Sequence, residues 1–304
     1  MGCGSGPSRG VTGFSANWLR RREPFDAAAR NGALVRGFGA VLGNERRAPR
    51  RIIDLAAGSG ANFMALAPLI DGDQDWLLID NDSLLLAAQA EAIARWSRRE
   101  GWRCCNIDQG LSVETGAGNW HVRAQRLDLG RSTEQLDFAA CDGITTSAFL
   151  DLASAAWLDR LCGLLTRHAR PLLATLTVDG RRAWHPPLPA DVRIHDAFQR
   201  HQAGDKGFGP ALGGLAVNYL ADSLAARGYT VSTAHSDWRI GAEHTEMLLQ
   251  MIEESAAVAR ETQPAASTLF TEWSEERNAQ VRAGLLTLDV GHLDLLAVPE
   301  TKKP

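Results

Sequence analysis

Lysine is almost missing from this chain: of 32 basic residues only Lys206, Lys302 and Lys303 are lysines. The arginines are scattered among 36 acidic residues for a net charge of −4. No basic stripe forms, which argues against a dedicated nucleic-acid surface. Long apolar runs are also absent. "FMALAPLI" and "SLLLAAQAEAI" fall well short of the roughly 20 residues that a membrane-spanning helix needs. The opening "MGCGSGPSRG" has neither the basic nor the apolar region of a secretory signal, and Gly6 stands where acylation of Gly2 would require Ser or Thr. The five cysteines (Cys3, Cys104, Cys105, Cys141, Cys162) show neither chelate spacing nor a disulfide framework. Adjacent Cys104 and Cys105 would face opposite sides of a strand. The expectation is a cytoplasmic protein with reduced thiols, no metal, no membrane and no nucleic-acid partner, existing as a monomer or homodimer.

What is present suffices for a sizeable core: 304 residues, 45% hydrophobic. Residues 1–13 read as a flexible tail and 14–304 as one domain. Residues 14–48 have helical spacing, with Pro24 expected to break them into two helices that cap the fold. "RRIIDLAA" reads as a buried first strand, "NFMALAPLI" as a helix, "DWLLID" as a second strand, and "SLLLAAQAEAIARWSRRE" as an amphipathic helix capped by Asp82 or Ser83. Short strand-like pieces fill 101–127. "LDFAACDGITTS" reads as a fourth strand, "DLASAAWLDRLCGLLTRH" as a helix and "RPLLATLTVDG" as a fifth strand. This alternation predicts a doubly wound α/β fold with a mostly parallel seven-stranded sheet and an antiparallel last strand. N-terminal helices precede the sheet, and a helical insertion over 241–283 precedes the last strand. Residues 185–215 are set apart as a polar, glycine-punctuated substrate or lid segment.

"IIDLAAGSGAN" (52–62) is the informative stretch. A phosphate-cradling loop would need a Gly-Lys-Ser/Thr ending, and no lysine is there. A dinucleotide fingerprint would need a third glycine after Gly58 and Gly60, where Ala61, Asn62 and Phe63 stand instead. Asp54, inside the strand and four residues before Gly58, would repel a pyrophosphate. It suits a ligand that carries positive charge.

The stretch resembles the first motif of class I methyltransferases that use S-adenosylmethionine (SAM), an acid followed by a glycine-rich turn. Ala56 stands where that family commonly has its first glycine. The resemblance spans roughly 50–180 and implies SAM as cofactor and S-adenosylhomocysteine as product. It places Asp54, Ala56, Gly58, Gly60 and Asn62 around the cofactor. Asp80, at the end of the second strand, would take the ribose hydroxyls bidentately, with Asn81 along the adenine. Asp128 and Leu129, in "RLDLG", match the family's adenine-binding position. Thr145 and Ser147, in "DGITTSAFLDL", lie where methyl transfer occurs. Arg22 or Arg30, from helices folding over the cofactor, would pair its carboxylate.

The substrate side is expected beyond the carboxyl ends of the strands. The densest segment there, "HDAFQRHQAGDKGFGPALGG", carries His195, His201 and Lys206 as candidate catalytic or substrate-binding residues. His195 and His201 lack the i,i+4 spacing of a helical metal site. Either could serve as a base near neutral pH, and Lys206 could meet a substrate anion. Gly204, Gly207 and Gly209 would give a lid its hinge freedom. Trp184 and Trp238 could stack on a flat ring. A methyltransferase acting on a small molecule, anionic or flat-ringed, is the leading expectation. The alternatives are a SAM-binding lyase, cyclase or regulatory binder that does not methylate and, behind these, an RNA or protein methyltransferase.

Overall fold

The computed structural model describes residues 16–43 and 49–300, so the expected tail over 1–13 lies outside the described residues. Helices α1 (Ala16–Ala29) and α2 (Gly32–Val41) open the chain. Pro24 sits inside α1 and does not break it. Proline forfeits one backbone hydrogen bond, and here Phe25 and Ala29 hold the following turns by packing against a buried apolar cluster. The separation comes instead at Asn31, whose side-chain oxygen accepts from the amides of Ala33 and Leu34, both at 3.1 Å. An asparagine cap starts a helix actively, and that cap sets the boundary.

The elements then follow as β1 (Arg50–Leu55), α3 (Ala61–Leu66), β2 (Gln74–Asp80), α4 (Ser83–Arg99), β3 (Arg103–Ile107), β4 (Gly110–Glu114) and β5 (Asn119–Arg126). Next come α5 (Leu129–Ser132), β6 (Gly143–Ser147), α6 (Ala155–His168), β7 (Leu172–His185), α7 (Asp191–Gln202) and α8 (Ala216–Ala225). The chain closes with β8 (Tyr229–His235), β9 (Trp238–Ile240), α9 (Thr245–Thr262), α10 (Ser267–Arg282) and β10 (Thr287–Pro299).

The sheet runs β3-β4-β5-β2-β1-β6-β7-β10-β8, with β9 paired to β10. β1 pairs in parallel with β2 and β6, as do β2 with β5 and β6 with β7. β10 runs antiparallel to β7, β8 and β9. The doubly wound α/β expectation therefore holds, including its antiparallel last strand. The seven expected strands form the core of a ten-stranded sheet. The additions are the hairpin β3–β4, folded onto β5 from residues whose strand-like pieces were visible, and the short β9. The fourth strand is shorter than its apolar pattern suggested. Asp137 accepts from the amides of Ala139 and Ala140, which turns the chain and delays the strand to Gly143.

Because the chain steps outward from β1 in both directions, β1 and β6 flank the point where strand order reverses. Ligands bind such sheets beyond the carboxyl ends of these strands. One apolar layer packs α6 and α8 on the sheet through Trp157, Leu161 and Leu220. The other packs α2, α3 and α4 through Phe38, Phe63 and Trp96. A third cluster, with Trp184, Ile194, Met251, Phe270 and Trp273, lies beneath α7, α9 and α10. The insertion is thus a helical cap whose core is shared with β7, β9 and β10, fastened by Arg277, which donates to both Asp191 oxygens at 2.6 Å.

Buried Asp294 ties these parts together. It accepts from the backbone of Leu176 at 2.7 Å, from the backbone of Asn31 at 2.9 Å and from the Ser236 hydroxyl. Leu176 has φ +56°, a left-handed conformation that costs a non-glycine residue about 1–2 kcal/mol, at an irregularity where β7 and β10 change register. Removing Asp294 would strand three donors, two of them buried. Asp294→Ala is therefore expected to lose at least about 3 kcal/mol of stability, and Asp294→Asn to lose less because one acceptor oxygen survives. Denaturant titration of both variants checks this; equal losses would mean that packing, not acceptance, is what Asp294 supplies.

Candidate functional site

The turn after β1 is built from left-handed residues: Ala56, Gly58 and Gly60 have φ of +54°, +54° and +85°. Only the glycines take this conformation freely, and together they fold the backbone back beneath the end of β2. Asp80 clamps the turn from there. Its Oδ2 accepts from the Gly58 amide at 2.8 Å and its Oδ1 from the Asp82 amide at 2.9 Å. Each carboxylate oxygen keeps a further lone pair, and Asp80 is only half-buried, so a vicinal diol can still be received. Gln89 of α4 donates to the Gly58 carbonyl at 2.6 Å and fixes the far side. Asn81 is exposed, with its carbonyl accepting from Arg126 at 3.1 Å.

Asp128 caps α5 by accepting from Gly130 at 2.9 Å and faces Arg131 at 3.6 Å. Leu129 is buried, and its carbonyl accepts from the Trp157 indole at 2.7 Å. The loop after α7 lies against this corner: Gly130 is so close to the Gly207 carbonyl that no side chain fits at 130.

Between β1 and the N-terminal helices lies a buried polar chain. Asp54 is fully buried, with Oδ1 accepting from the Asn62 amide at 2.8 Å. The same Asn62 nitrogen donates to Thr145 Oγ1 at 3.1 Å, and the Asn62 oxygen accepts from Arg30 Nη1 at 2.9 Å. Arg30 also donates to Thr175, whose hydroxyl donates to Ser147 at 3.1 Å. Opposite charges are thus held around one amide and not in direct contact. Each keeps an unmet group: Asp54 Oδ2 and Arg30 Nε have no hydrogen-bond partner among the described residues. Burial pushes the Asp54 carboxyl up to about 7, partly offset by the Asn62 hydrogen bond and the Arg30 charge. Burial likewise lowers Arg30.

Two segments pack against neighbouring parts of the sheet's carboxyl end. Helix α1 places Leu19 where a side chain at position 58 would meet it. The segment over 203–212 is docked, with Phe208 against the rings of Phe149 and Trp157 at 5.0 and 5.7 Å, and Leu212 donating to Ala153. Arg22 pairs with Asp26 at 2.9 Å and lies over the Trp238 ring.

The three candidate catalytic residues are spread out. His195 and His201 sit on α7; His195 borders an open cavity of about 520 Å³ with Arg181 and Asp237. Lys206 donates to the His201 carbonyl at 3.0 Å and so closes the end of α7. Burial, with the Lys206 charge, lowers the His201 pKa. Trp184 and Trp238 are both buried, Trp184 beside Trp273 and Trp238 donating to Asp26. Asp179, His235 and Asp237 have the spacing of a metal-binding group, but Arg181 already donates to both carboxylates and contacts the His235 ring nitrogen at 2.9 Å.

Sequence reasoning missed Asp151, Thr175 and Asp294; Gln202 falls within the quoted "HDAFQRHQAGDKGFGPALGG" but was given no role. Asp151 stands within the quoted "AFLDL", where its leucine neighbours gave no sign that it would be buried.

No family model matches the chain, and no curated protein matches it. Solved structures similar to it include the cyclopropane synthase MmaA2 from Mycobacterium tuberculosis, 12% identical over 87% of this chain and 83% of that one, with a TM-score of 0.46. The [4+2]-cyclase SpnF is 15% identical over 89% and 80%, TM-score 0.42. A SAM-dependent methyltransferase from Geobacter sulfurreducens, in complex with S-adenosylhomocysteine, is 14% identical over 92% and 98%, TM-score 0.40. The case for a ligand rests on the residues themselves.

The Asp54 carboxyl gives a pH signature. Its value near 7 lies above the ordinary 3.8, so the folded state holds a proton that the unfolded state releases. Its contribution to stability therefore falls as pH rises from about 4 to about 7. Asp54→Asn is expected to melt above the wild-type protein at pH 8, with the gap closing toward pH 4. Thermal melts across that range decide it, and a gap independent of pH would refute the assignment.

Proposed function

We propose that this chain is a SAM-dependent methyltransferase acting on a small molecule. One observation carries the reading: the unmet buried acceptor of Asp54 and the unmet buried donor of Arg30, held apart by Asn62 beside the glycine turn. A buried group without a partner costs about 1–3 kcal/mol, more if charged. An amino-acid zwitterion supplies both missing partners at once, ammonium for Asp54 and carboxylate for Arg30. The SAM aminobutyrate arm is such a zwitterion, and its ribose diol suits Asp80. A dinucleotide would instead bring phosphate charge toward Asp54.

In this reading Asp54, Asn62 and Arg30 hold the amino-acid end, while Gly58 and Gly60 let the backbone approach. Asp80 takes the ribose, and Asp128 with Leu129 borders the base. Thr145 and Ser147 continue the polar chain toward the acceptor side. The cofactor, when bound, supplies an electrophilic methyl: the acceptor–carbon bond forms as the carbon–sulfur bond breaks, and sulfur keeps the electron pair. The chain's own part is to orient the partners and exclude water. α1 and the docked 203–212 segment provide that exclusion; Lys206 belongs to that segment, while His195 and His201 stand on α7.

Calorimetry should show micromolar S-adenosylhomocysteine binding, about −8 kcal/mol, and none for NAD. Asp80→Asn leaves one oxygen for two hydroxyls and is expected to weaken binding ~30-fold, about 2 kcal/mol, together with a lower melting temperature from the turn hydrogen bond it gives up. Unchanged affinity would reduce Asp80 to a clamp for the turn. With acceptor present, mass spectrometry should find S-adenosylhomocysteine accumulating; methylthioadenosine would show chemistry on the aminobutyrate arm and overturn the methyltransferase reading.

A further inference from the structure

Beyond the cofactor cradle a second pair of buried groups is left incomplete. Asp151 lies on the single turn Leu150–Leu152 that follows β6, and Gln202 is the last residue of α7. Both are buried, at 5% and 9% exposure. Gln202 Nε2 donates to Asp151 Oδ2 at 3.4 Å, while Asp151 Oδ1 and Gln202 Oε1 have no partner. Two buried acceptors on hydrogen-bonded residues are therefore unmet, one contributed by the carboxyl end of the sheet and one by the helical cap.

Their location ties them to the cofactor side. The polar chain from Arg30 through Thr175 reaches Ser147 at the end of β6, and Asp151 follows within the next turn. The charge of Arg22 acts on both Arg30 and Asp151, so the two groups share one electrostatic neighbourhood. Thr177, farther along β7, adds a buried hydroxyl that also lacks a partner.

The cations nearby are engaged. Arg22 holds Asp26 and lies over Trp238; Arg182 donates to Ser255 at 3.0 Å and lies over Phe198; Lys206 closes α7. What this side of the molecule lacks is a hydrogen-bond donor, not a site for an anion.

We propose that the acceptor substrate is an amine, held through its N–H groups between Asp151 Oδ1 and Gln202 Oε1. This deepens the methyltransferase reading and rests on it. It replaces the anionic substrate expected from Lys206. An aliphatic amine enters as its ammonium and donates to both unmet oxygens; it passes one N–H proton to the Asp151 carboxylate, and the freed lone pair forms the nitrogen–carbon bond as the carbon–sulfur bond breaks with sulfur keeping the electron pair. Burial pushes the Asp151 carboxyl up to about 6, offset by a backbone hydrogen bond and by the Arg22 charge.

The test uses the full chain saturated with S-adenosylhomocysteine and three matched probes: n-butylamine, n-butanol and n-butyrate, titrated by ligand-observed NMR at pH 7.5. The amine is expected to bind at least tenfold more tightly than either other probe. Asp151→Asn should cut that preference below twofold, and Gln202→Leu should weaken amine binding while leaving butyrate unaffected. Both variants should bind S-adenosylhomocysteine within twofold of wild type, which shows that they fold. A preference for butyrate, equal binding of all three or no binding would overturn the proposal, as would a preference that survives in both variants. A water filling the pair gives the equal or null result. If S-adenosylhomocysteine itself fails to bind, the cofactor reading falls; if it binds and the amine preference is missing, only this inference falls.

Discussion

A buried carboxylate and a buried guanidinium that do not touch each other govern this molecule. Direct pairing of Asp54 with Arg30 would neutralise both and leave nothing for a ligand to do. Asn62 prevents that by bonding to each with a different end of its amide. Desolvation of unpaired charges costs several kcal/mol, and the protein answers it partly by holding a proton on Asp54 near neutrality. The remainder is stored as unmet hydrogen-bonding capacity. Stability given up at a functional site in this way is common, since a site satisfied by its own protein has little left to offer.

Much of the surrounding architecture keeps that arrangement in place. Arg30 stands at the break between α1 and α2, and the break is fixed from both sides. Asn31 caps α2 with its side chain, and its backbone donates to Asp294. Asp294 also holds the irregular stretch of β7 at Leu176, beside the Thr175 that receives Arg30. The N-terminal helices, the fifth parallel strand and the antiparallel last strand therefore meet in one hydrogen-bonded junction. The cap contributes through α7, whose Gln199 donates to the Gly180 carbonyl and whose Gln202 reaches Asp151. Movement of the cap would thus be felt at the acceptor side before it reached the cofactor side.

The parts legible in the sequence were those with a local signature. The period-two and period-3.6 patterns gave the alternation of strands and helices, and "IIDLAAGSGAN" marked the glycine turn because positive φ is written directly as glycine. Asp80 and Asp128 were picked out through the resemblance, and the structure puts Asp80 at the end of β2 and Asp128 just after β5. Pro24 misled, since local propensity weighed against tertiary packing of Phe25 and Ala29, and packing won. The apolar run before Gly143 misled for a related reason: burial does not require a strand, and Asp137 bends the chain there. Asp151, Gln202 and Asp294 carry no local signal. Their roles come from burial and from partners 51 to 263 residues away, which only the folded topology brings together. Lys206 stood out by its rarity, but rarity reported a helix end.

The central claim is that the Asp54–Asn62–Arg30 arrangement awaits an amino-acid zwitterion, and it is tested most directly by proton release. In the free protein Asp54 titrates near 7; an ammonium bound to it lowers that value, so binding at pH 6.5 must expel a proton. Calorimetry of S-adenosylhomocysteine binding in buffers of different ionisation enthalpy reads this directly. The expected result is a fractional proton released at pH 6.5, declining above pH 8, with affinity rising toward pH 7 and level beyond it. Binding with no proton release at pH 6.5, and with affinity flat from pH 6 to 8, would contradict the account.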